Sequence, residues 1–146
     1  MNVQFRAFAP CDVQTLRSKL PFSMSDSTIG IVAYDKDTAE TLAICVGSDW
    51  TKTSFFVHQV IFHTMVLRHG WLEECFDYAF SRAGRIKMFA AVPSNNAKAL
   101  RLNSKMGFKQ VAVLKDAHEV GVDYVIMELK REDCPYWVQP ALQKVS

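Results

Sequence analysis

Short apolar segments separated by turn residues make up most of this chain, and most of them show the two-residue alternation or the β-branched and aromatic content of strands. The pattern predicts strands at residues 3–8, 29–34, 41–46, 53–62, 87–92, 110–114 and 124–129. The segment 87–92 is nearly continuously apolar, which is typical of a strand covered on both faces. The last two segments are expected to pair as a hairpin or as an antiparallel pair.

Three further segments have the period of amphipathic helices. The first two have apolar faces formed by Val13, Leu16 and Leu20, and by Leu72, Cys75, Phe76, Ala79, Phe80 and Ala83. Asp12 is a candidate N-terminal cap for the first, which ends at Pro21. The third spans residues 96–106. It ends at Gly107 and Phe108, where a left-handed glycine followed by an apolar residue predicts a Schellman motif.

The elements follow one another in the order β-α-β-β-β-α-β-α-β-β. Strands and helices mixed in this way predict an α/β domain with a single mixed central sheet of about seven strands and helices on both faces. The domain is expected to span residues 1–130. Residues 131–146 form a C-terminal tail, in which Pro135 and Pro140 forbid a continuous helix or central strand.

Composition narrows the class of protein. A chain of 146 residues with 49% hydrophobic and 22% charged residues is long enough for one domain with its own core and is not disordered. The net charge of +2 gives no basis for binding nucleic acid. The first residues lack the pattern of a signal peptide, and no apolar segment approaches the ~20 residues that cross a bilayer. We therefore expect a cytoplasmic protein with no membrane partner.

The cysteines are widely spaced and form no C-x-x-C pair. They are Cys11, Cys45, Cys75 and Cys134. This spacing predicts neither a zinc site nor a disulfide framework, so we expect reduced thiols and no bound metal.

Three stretches carry a more specific signal. Residues 6–12, RAFAPCD, contain a strand that ends in Arg and leads to an Asp at the first helix, and residues 123–129, DYVIMEL, form a closing strand. An N-x-x-A-x-x-L…G-F pattern is made by Asn96, Ala99, Leu102, Gly107 and Phe108. Together these stretches resemble the GNAT superfamily of N-acetyltransferases over roughly residues 3–130. The N-x-x-A-x-x-L…G-F pattern is the most specific of the three.

The resemblance implies a GNAT fold that uses acetyl-CoA as co-substrate, with direct transfer of the acetyl group to an amine in a ternary complex. In that family the pantetheine arm lies between the splayed fourth and fifth strands, and the pyrophosphate meets the N-terminus of the next helix. The residues implied on the cofactor side are Phe62, His63, Leu67, Arg68, His69, Gly70, Trp71, Val92, Asn96, Ala99 and Asn103. Asn96 also suits a helix N-cap, and the two roles are compatible.

The sequence departs from the family pattern in three places. The pyrophosphate loop of the family reads R/Q-x-x-G-x-G/A, whereas residues 63–71 here contain one Arg and one Gly. Asn103 stands where the family often has a Tyr that acts as general acid. The second helix of the fold is shortened or absent, since only residues 21–28 separate the first helix from the next strand. A short, degenerate chain of this kind resembles acetyltransferase-like proteins of tailed phages.

His58 and Asn103 are the candidate catalytic residues. Removing a proton from an ammonium group needs a base, and the fourth strand offers His58, whose ordinary pKa is close to neutral. A histidine on an apolar strand is alternatively a structural residue. Asn103 can hydrogen-bond a thioester or a pantetheine amide but cannot act as an acid. It is alternatively a partly exposed polar residue.

Other functions remain open from the sequence. One is a catalytically reduced GNAT-fold binding protein that acts through a protein partner, and a remote one is a nucleic-acid-binding module. The sequence does not identify the amine acceptor, which is a small molecule or a protein. Trp137 is expected to dock on the domain itself or on a second protomer, as in a homodimer, because aromatic residues concentrate in buried anchors and interfaces. The alternative is a disordered terminus.

Overall fold

The strands form one seven-stranded sheet. The computed structural model describes residues 1–20 and 28–137. The strands are β1 (Val3–Ala7), β2 (Ile29–Asp35), β3 (Thr41–Ser48), β4 (Phe56–Ile61), β5 (Lys87–Pro93), β6 (Lys109–Glu119) and β7 (Val122–Lys130). Their order is β1-β2-β3-β4-β5-β7-β6, and neighbours are antiparallel except β4 and β5, which are parallel. The single mixed sheet predicted from the sequence is confirmed.

Helices cover both faces of this sheet, as predicted. They are α1 (Val13–Arg17), α2 (Trp71–Asp77) and α3 (Ala97–Lys105). Leu16 of α1 packs on the face that carries Val32, Ile44 and Val46, which we call the α1 face. The opposite face, called the α2 face, carries Ile31, Ala33 and Ala43 and packs against Trp71, Phe76 and other side chains of α2. Because side chains alternate along a strand, each residue of the sheet belongs to one face or the other.

The first helix differs from its prediction. A 3₁₀ turn, Pro10–Asp12, precedes α1, and Ala9 is its N-cap residue. The carboxylate of Asp12 accepts the Ala9 N–H at 2.9 Å and makes no cap hydrogen bond to α1. Asp12 is thus the N-cap residue of α1, as predicted, but its carboxylate bonds to Ala9 and to Arg6 instead of to the helix. The segment of the predicted short or missing second helix, residues 21–27, lies outside the described residues.

The second predicted helix divides into two parts. α2 ends at Asp77, and a π-helix follows over Tyr78–Arg82. The Ala83 N–H donates to the Tyr78 carbonyl at 2.8 Å, which is the five-residue hydrogen bond of a π turn.

The fourth strand, β4, begins later than predicted, at Phe56. The hydroxyl oxygen of Thr51 accepts the N–H groups of Thr53 and Ser54 and holds that stretch in a turn.

The prediction for the third helix is confirmed at both ends. The side chain of Asn96 accepts the Ala99 N–H at 3.1 Å and caps α3. At the other end Gly107 has φ +105°, its N–H bonds to Ser104, and the Phe108 N–H bonds to Asn103 at 3.0 Å. These are the two hydrogen bonds of a Schellman motif.

The last two strands form the predicted hairpin, but β6 is longer than its apolar stretch. It runs to Glu119, is exposed along its whole length and is irregular between Leu114 and Glu119, where Asp116 has φ +53°. The predicted strand was too short because β6 is an exposed edge strand, which can continue without alternating apolar residues.

After β7 the chain turns back, and the Trp137 indole N–H donates to the Ser81 hydroxyl at 2.8 Å. The predicted docking of Trp137 on the domain itself is confirmed.

Candidate functional site

The sheet opens between β4 and β5. Within the described residues, the parallel ladder between these strands consists of one residue pair, Phe56 and Phe89. The Phe89 N–H bonds to the Phe55 carbonyl at 2.9 Å, and beyond this point the strands border a cavity of about 230 Å³. Splayed strands leave main-chain groups that an extended ligand can bond, so this opening is a candidate binding site.

The cavity reaches both faces of the sheet. Its walls include Gln59, Ala90 and Val92, which point to the α2 face, and also His58 and Ala91, which point to the α1 face. The face of His58 follows from its cross-strand partner Val46, which belongs to the core under α1. Two ligands that enter from opposite sides of the sheet can therefore meet in this opening.

His58, the candidate base on the fourth strand, lies within this opening. Its Nε2 is 2.7 Å from the hydroxyl oxygen of Ser48, and that hydroxyl donates to Asp49 Oδ2 at 3.1 Å. A hydroxyl has a single proton, so the bond donated to Asp49 leaves the Ser48 oxygen to accept from the imidazole. In this arrangement the hydrogen bond to Ser48 orients the ring within the opening.

Burial keeps the imidazole neutral. Desolvation lowers the pKa of His58 below its ordinary value of 6.5, and the charge of Asp49 opposes part of that shift. A neutral imidazole at physiological pH is able to accept a proton. The geometry is therefore compatible with general-base catalysis.

Three of the predicted cofactor residues on or beside α3 line the same cavity. They are Asn96, Ala99 and Asn103. Asn103 places its side-chain amide nitrogen 3.9 Å from the sulfur of Met127, on the α2 side of the opening. Val92 of β5, also predicted, lines the cavity as well. The structure thus brings His58, Val92, Asn96, Ala99 and Asn103 together.

The remaining predicted cofactor residues, most of them in the predicted pyrophosphate loop, lie outside the cavity wall. They are Phe62, His63, Leu67, Arg68, His69, Gly70 and Trp71. A 3₁₀ helix, Thr64–His69, replaces an extended loop, and Arg68 and His69 are exposed. His63 pairs with Glu40 at 2.9 Å on the surface. Trp71 is fully buried and donates its indole N–H to Gln59 at 2.7 Å.

Sequence reasoning missed several residues that shape the cavity. Ser48 and Asp49 belong to a different strand end from His58, and no local pattern links them. Cys45 and Cys75 both line the cavity, and their thiols interact. Burial, and after it the neighbouring Cys45 thiol, raises the pKa of Cys75 well above its usual value. A thiol of this kind stays protonated, which argues against a role for Cys75 as a nucleophile.

The described part of the chain has neither a metal-binding cluster nor a membrane-spanning helix. Residues 1–20 and 28–137 contain no cluster of three or more His, Cys, Asp or Glu side chains that suits a metal ion. Among the helices of these same residues, none has the length and the apolar content to span a bilayer.

The fold is shared with solved acetyltransferases. The spermidine/spermine N-acetyltransferase SpeG from Vibrio cholerae, in a structure with manganese ions, superposes with a TM-score of 0.74 at 13% identity, covering 99% of this chain and 98% of that one. The same organism's spermidine N-acetyltransferase in complex with CoA and spermine gives a TM-score of 0.71 at 14% identity, covering 90% and 97%. The chain has a GNAT-like fold. No family model and no curated protein matches the sequence, so the match is one of structure.

Proposed function

We propose that this GNAT-like protein is an acetyl-CoA-dependent N-acetyltransferase that transfers the acetyl group directly to an amine in a ternary complex. The observation that carries the proposal is the opening between β4 and β5, which passes through the sheet with His58 on one face and Asn103 on the other side. The complex of a similarly folded acetyltransferase with CoA and spermine supports the choice of co-substrate.

The residues present fit the acyl-carrying arm of such a co-substrate. The cavity is lined mainly by apolar side chains, including Leu72, Phe76 and Met88, and these suit the alkyl and thioester portions. Asn103 adds an amide that can hydrogen-bond a carbonyl or an amide of the arm. Main-chain groups along the splayed edges of β4 and β5 provide further donors and acceptors.

The thioester supplies an acyl group that is already activated, so the protein has to align the reactants and move one proton. In this proposal the imidazole of His58 accepts the proton that the amine loses as its nitrogen bonds to the carbonyl carbon. The carbon–sulfur bond breaks, and the sulfur leaves as a thiolate. Asn103 cannot protonate that thiolate. A thiol with a pKa of about 8.5 ionises readily enough for its thiolate to leave without being protonated by the enzyme. His58 then returns its proton to solvent.

The pyrophosphate is proposed to bind at residues 67–71, beside Arg68 and the start of α2. Gly70 has φ +81°, and an added Cβ would meet nothing within 4 Å, so the turn leaves room for a ligand. The Gly70 N–H already bonds to the Val66 carbonyl. The exposed guanidinium of Arg68 therefore provides most of the anion recognition in this proposal.

Calorimetric titration with CoA and with acetyl-CoA tests the proposal. We expect binding, a rise in melting temperature with ligand concentration, and weaker binding by Arg68→Ala. Arg17→Ala is the matched control, because Arg17 is exposed on α1, away from the proposed loop. If millimolar CoA produced neither heat nor a thermal shift, the proposal would be overturned.

A second function is favoured by one feature of the site. Asn103 occupies the place of the family's frequent Tyr acid, which fits a GNAT-fold protein that binds CoA, has lost catalysis and acts through a protein partner. The resemblance to phage-encoded acetyltransferase-like proteins belongs to the same hypothesis. Mass spectrometry for acetylated products in cells that express the protein separates the two functions: acetylated amines support the enzyme, and CoA binding without any product supports the partner-binding protein.

A further inference from the structure

The α1 face of the sheet has a half-buried aromatic pair beside His58. The rings of Phe56 and Phe89 lie with centroids 5.4 Å apart and planes tilted by 31°. Phe56 stands opposite Ser48, two residues before His58, so both side chains point to the α1 face. Among the described residues, neither phenylalanine belongs to one of the two hydrophobic cores.

The alternation of side chains explains why these two rings lie outside both of the hydrophobic cores described above. Every residue of β5 and β7 that packs in the large core comes from the α2 face; these are Met88, Ala90, Val92, Val125, Met127 and Leu129. Phe89, Ala91 and Ile126 therefore point the other way, where they are half-buried or, for Ala91, exposed. An aromatic pair on such a face is a surface that favours contact with an apolar ligand.

The position of the pair relative to His58 limits what can bind. His58 and Ala91 are the next residues of the two strands on this face, and both line the cavity that begins beyond the Phe56–Phe89 pair. Two residues along a strand cover about 7 Å. An acceptor whose nitrogen lies at His58 can therefore place a ring or an alkyl body on Phe56 and Phe89.

The charged groups at the Phe89 end of this surface differ from those at the His58 end. On the far side of Phe89, the Lys87 ammonium pairs with the Glu128 carboxylate at 2.6 Å, so both charges there are already neutralised. Near His58, Asp49 contributes a negative charge. A single ammonium is therefore attracted at the His58 end, whereas at the Phe89 end a second ammonium would meet in Glu128 a carboxylate that is already paired with Lys87.

We propose that Phe56 and Phe89 form the acceptor subsite and select amines with an apolar aromatic body over polyamines. This inference rests on the proposed acetyltransferase function. It differs from the acceptor of the similarly folded protein that was solved with spermine.

The test measures acetyl transfer by the full chain from acetyl-CoA to 2-phenylethylamine, spermidine and methylamine. We expect kcat/KM for 2-phenylethylamine to exceed that for spermidine by about 10-fold, since apolar contacts of this size give factors of this order. Phe56→Ala and Phe89→Ala should each lower kcat/KM for 2-phenylethylamine about 10-fold, through KM, and leave methylamine unchanged. Phe89→Leu, which keeps the strand packed, should fall between.

The matched control is Val113→Ala, which truncates a 48% exposed apolar side chain on β6 and should leave all three rates unchanged. A preference for spermidine, an equal loss on all three amines, or transfer to none of them by a protein that binds acetyl-CoA would overturn the subsite. So would light scattering that shows a dimer converted to a monomer by Phe89→Ala, because a second copy would then cover the rings. Absence of acetyl-CoA binding would overturn the proposed function instead.

Discussion

The imidazole Nε2 of His58 lies 2.7 Å from the hydroxyl oxygen of Ser48, and this hydrogen bond joins the ends of two neighbouring strands at the opening in the sheet. It fixes the ring, with Asp49 as the next member of the chain of hydrogen bonds. A base that is held in one orientation needs no reorganisation when the amine arrives.

His58→Gln should lower kcat for amine acetylation by about 100-fold or more, because a positioned general base contributes a factor of that size. Glutamine keeps a side chain that can hydrogen-bond Ser48, so CoA affinity by calorimetry should stay the same. His118→Gln, which changes a histidine of the exposed β6–β7 hairpin, serves as control. Full activity in His58→Gln would show that the proton leaves by another route.

The lowered pKa of His58 leads to a second prediction, which concerns how the stability of the fold depends on pH. The unfolded histidine takes up a proton near its ordinary pKa of 6.5, whereas the folded one does so only at lower pH. The unfolded state therefore binds more protons between these two values, and the free energy of unfolding falls as the pH drops through that window. Urea unfolding at about pH 7 and about pH 5 should show a larger loss in the wild type than in His58→Gln. Parallel losses in the two proteins would contradict the assignment.

Arg6 and Asp12 form a two-pronged ion pair that fixes the start of the first helical segment. The two terminal guanidinium nitrogens each lie 2.7 Å from one carboxylate oxygen, and Asp12 is 3% exposed. Although burial raises the pKa of Asp12, the hydrogen bonds from Arg6 and from the Ala9 N–H lower it below 3.8 overall. Its stabilisation is therefore present above that pH and is lost as the pH falls through the folded pKa.

Asp12→Asn should reduce the free energy of unfolding by about 2 kcal/mol, because it removes a buried partner and leaves a half-exposed guanidinium unpaired. Asp77→Asn is the control, since the Asp77–Arg82 pair is long, at 3.5 Å, and exposed on both sides. That change should cost less than about 0.5 kcal/mol. Equal effects in urea unfolding would mean that the Arg6–Asp12 pair has no special role.

Gly107 has a tight environment as well as a left-handed backbone. A Cβ added there would lie 3.0 Å from the Asp133 carbonyl oxygen and 3.1 Å from a methyl carbon of Leu129. Gly121 has φ +85° but nothing within 4 Å, so Gly121→Ala adds backbone strain alone. We expect Gly121→Ala to cost about 1 kcal/mol and Gly107→Ala about 1–2 kcal/mol more, measured by thermal or urea unfolding. An equal loss of unfolding free energy in the two variants would show that the residues around Gly107 move aside without an energetic penalty.

Trp137 should contribute measurably to stability. Its ring packs edge-on against Phe80 at 5.6 Å, and its N–H donates to Ser81. Trp137→Ala should lower the free energy of unfolding by about 2 kcal/mol, and Trp137→Phe, which removes the hydrogen bond but keeps much of the packing, by about 1 kcal/mol. Val120→Ala, at a residue that is 94% exposed, should have no effect. Deletion of residues 135–146 should lower the melting temperature at least as far as Trp137→Ala.

The sequence by itself determined the features that depend on neighbouring residues. The strands followed from alternation, the cap at Asn96 from its place before a helical period, and the Schellman motif from Gly107 followed by Phe108. Each of these depends on residues within about one helical turn, where backbone preference and local hydrogen bonding decide the conformation. The N-x-x-A-x-x-L…G-F pattern also led to the correct fold.

Only the tertiary structure decided how the site is assembled. Ser48 meets His58, and Phe56 meets Phe89, because strand register and the splay of β4 from β5 bring together residues that are distant in the chain. A one-residue shift of register would exchange the two faces of a strand, so which residues meet across strands depends on how the whole sheet packs. The large core under α2 and α3 fixes the register by burying one face, and this leaves His58 and the aromatic pair on the other.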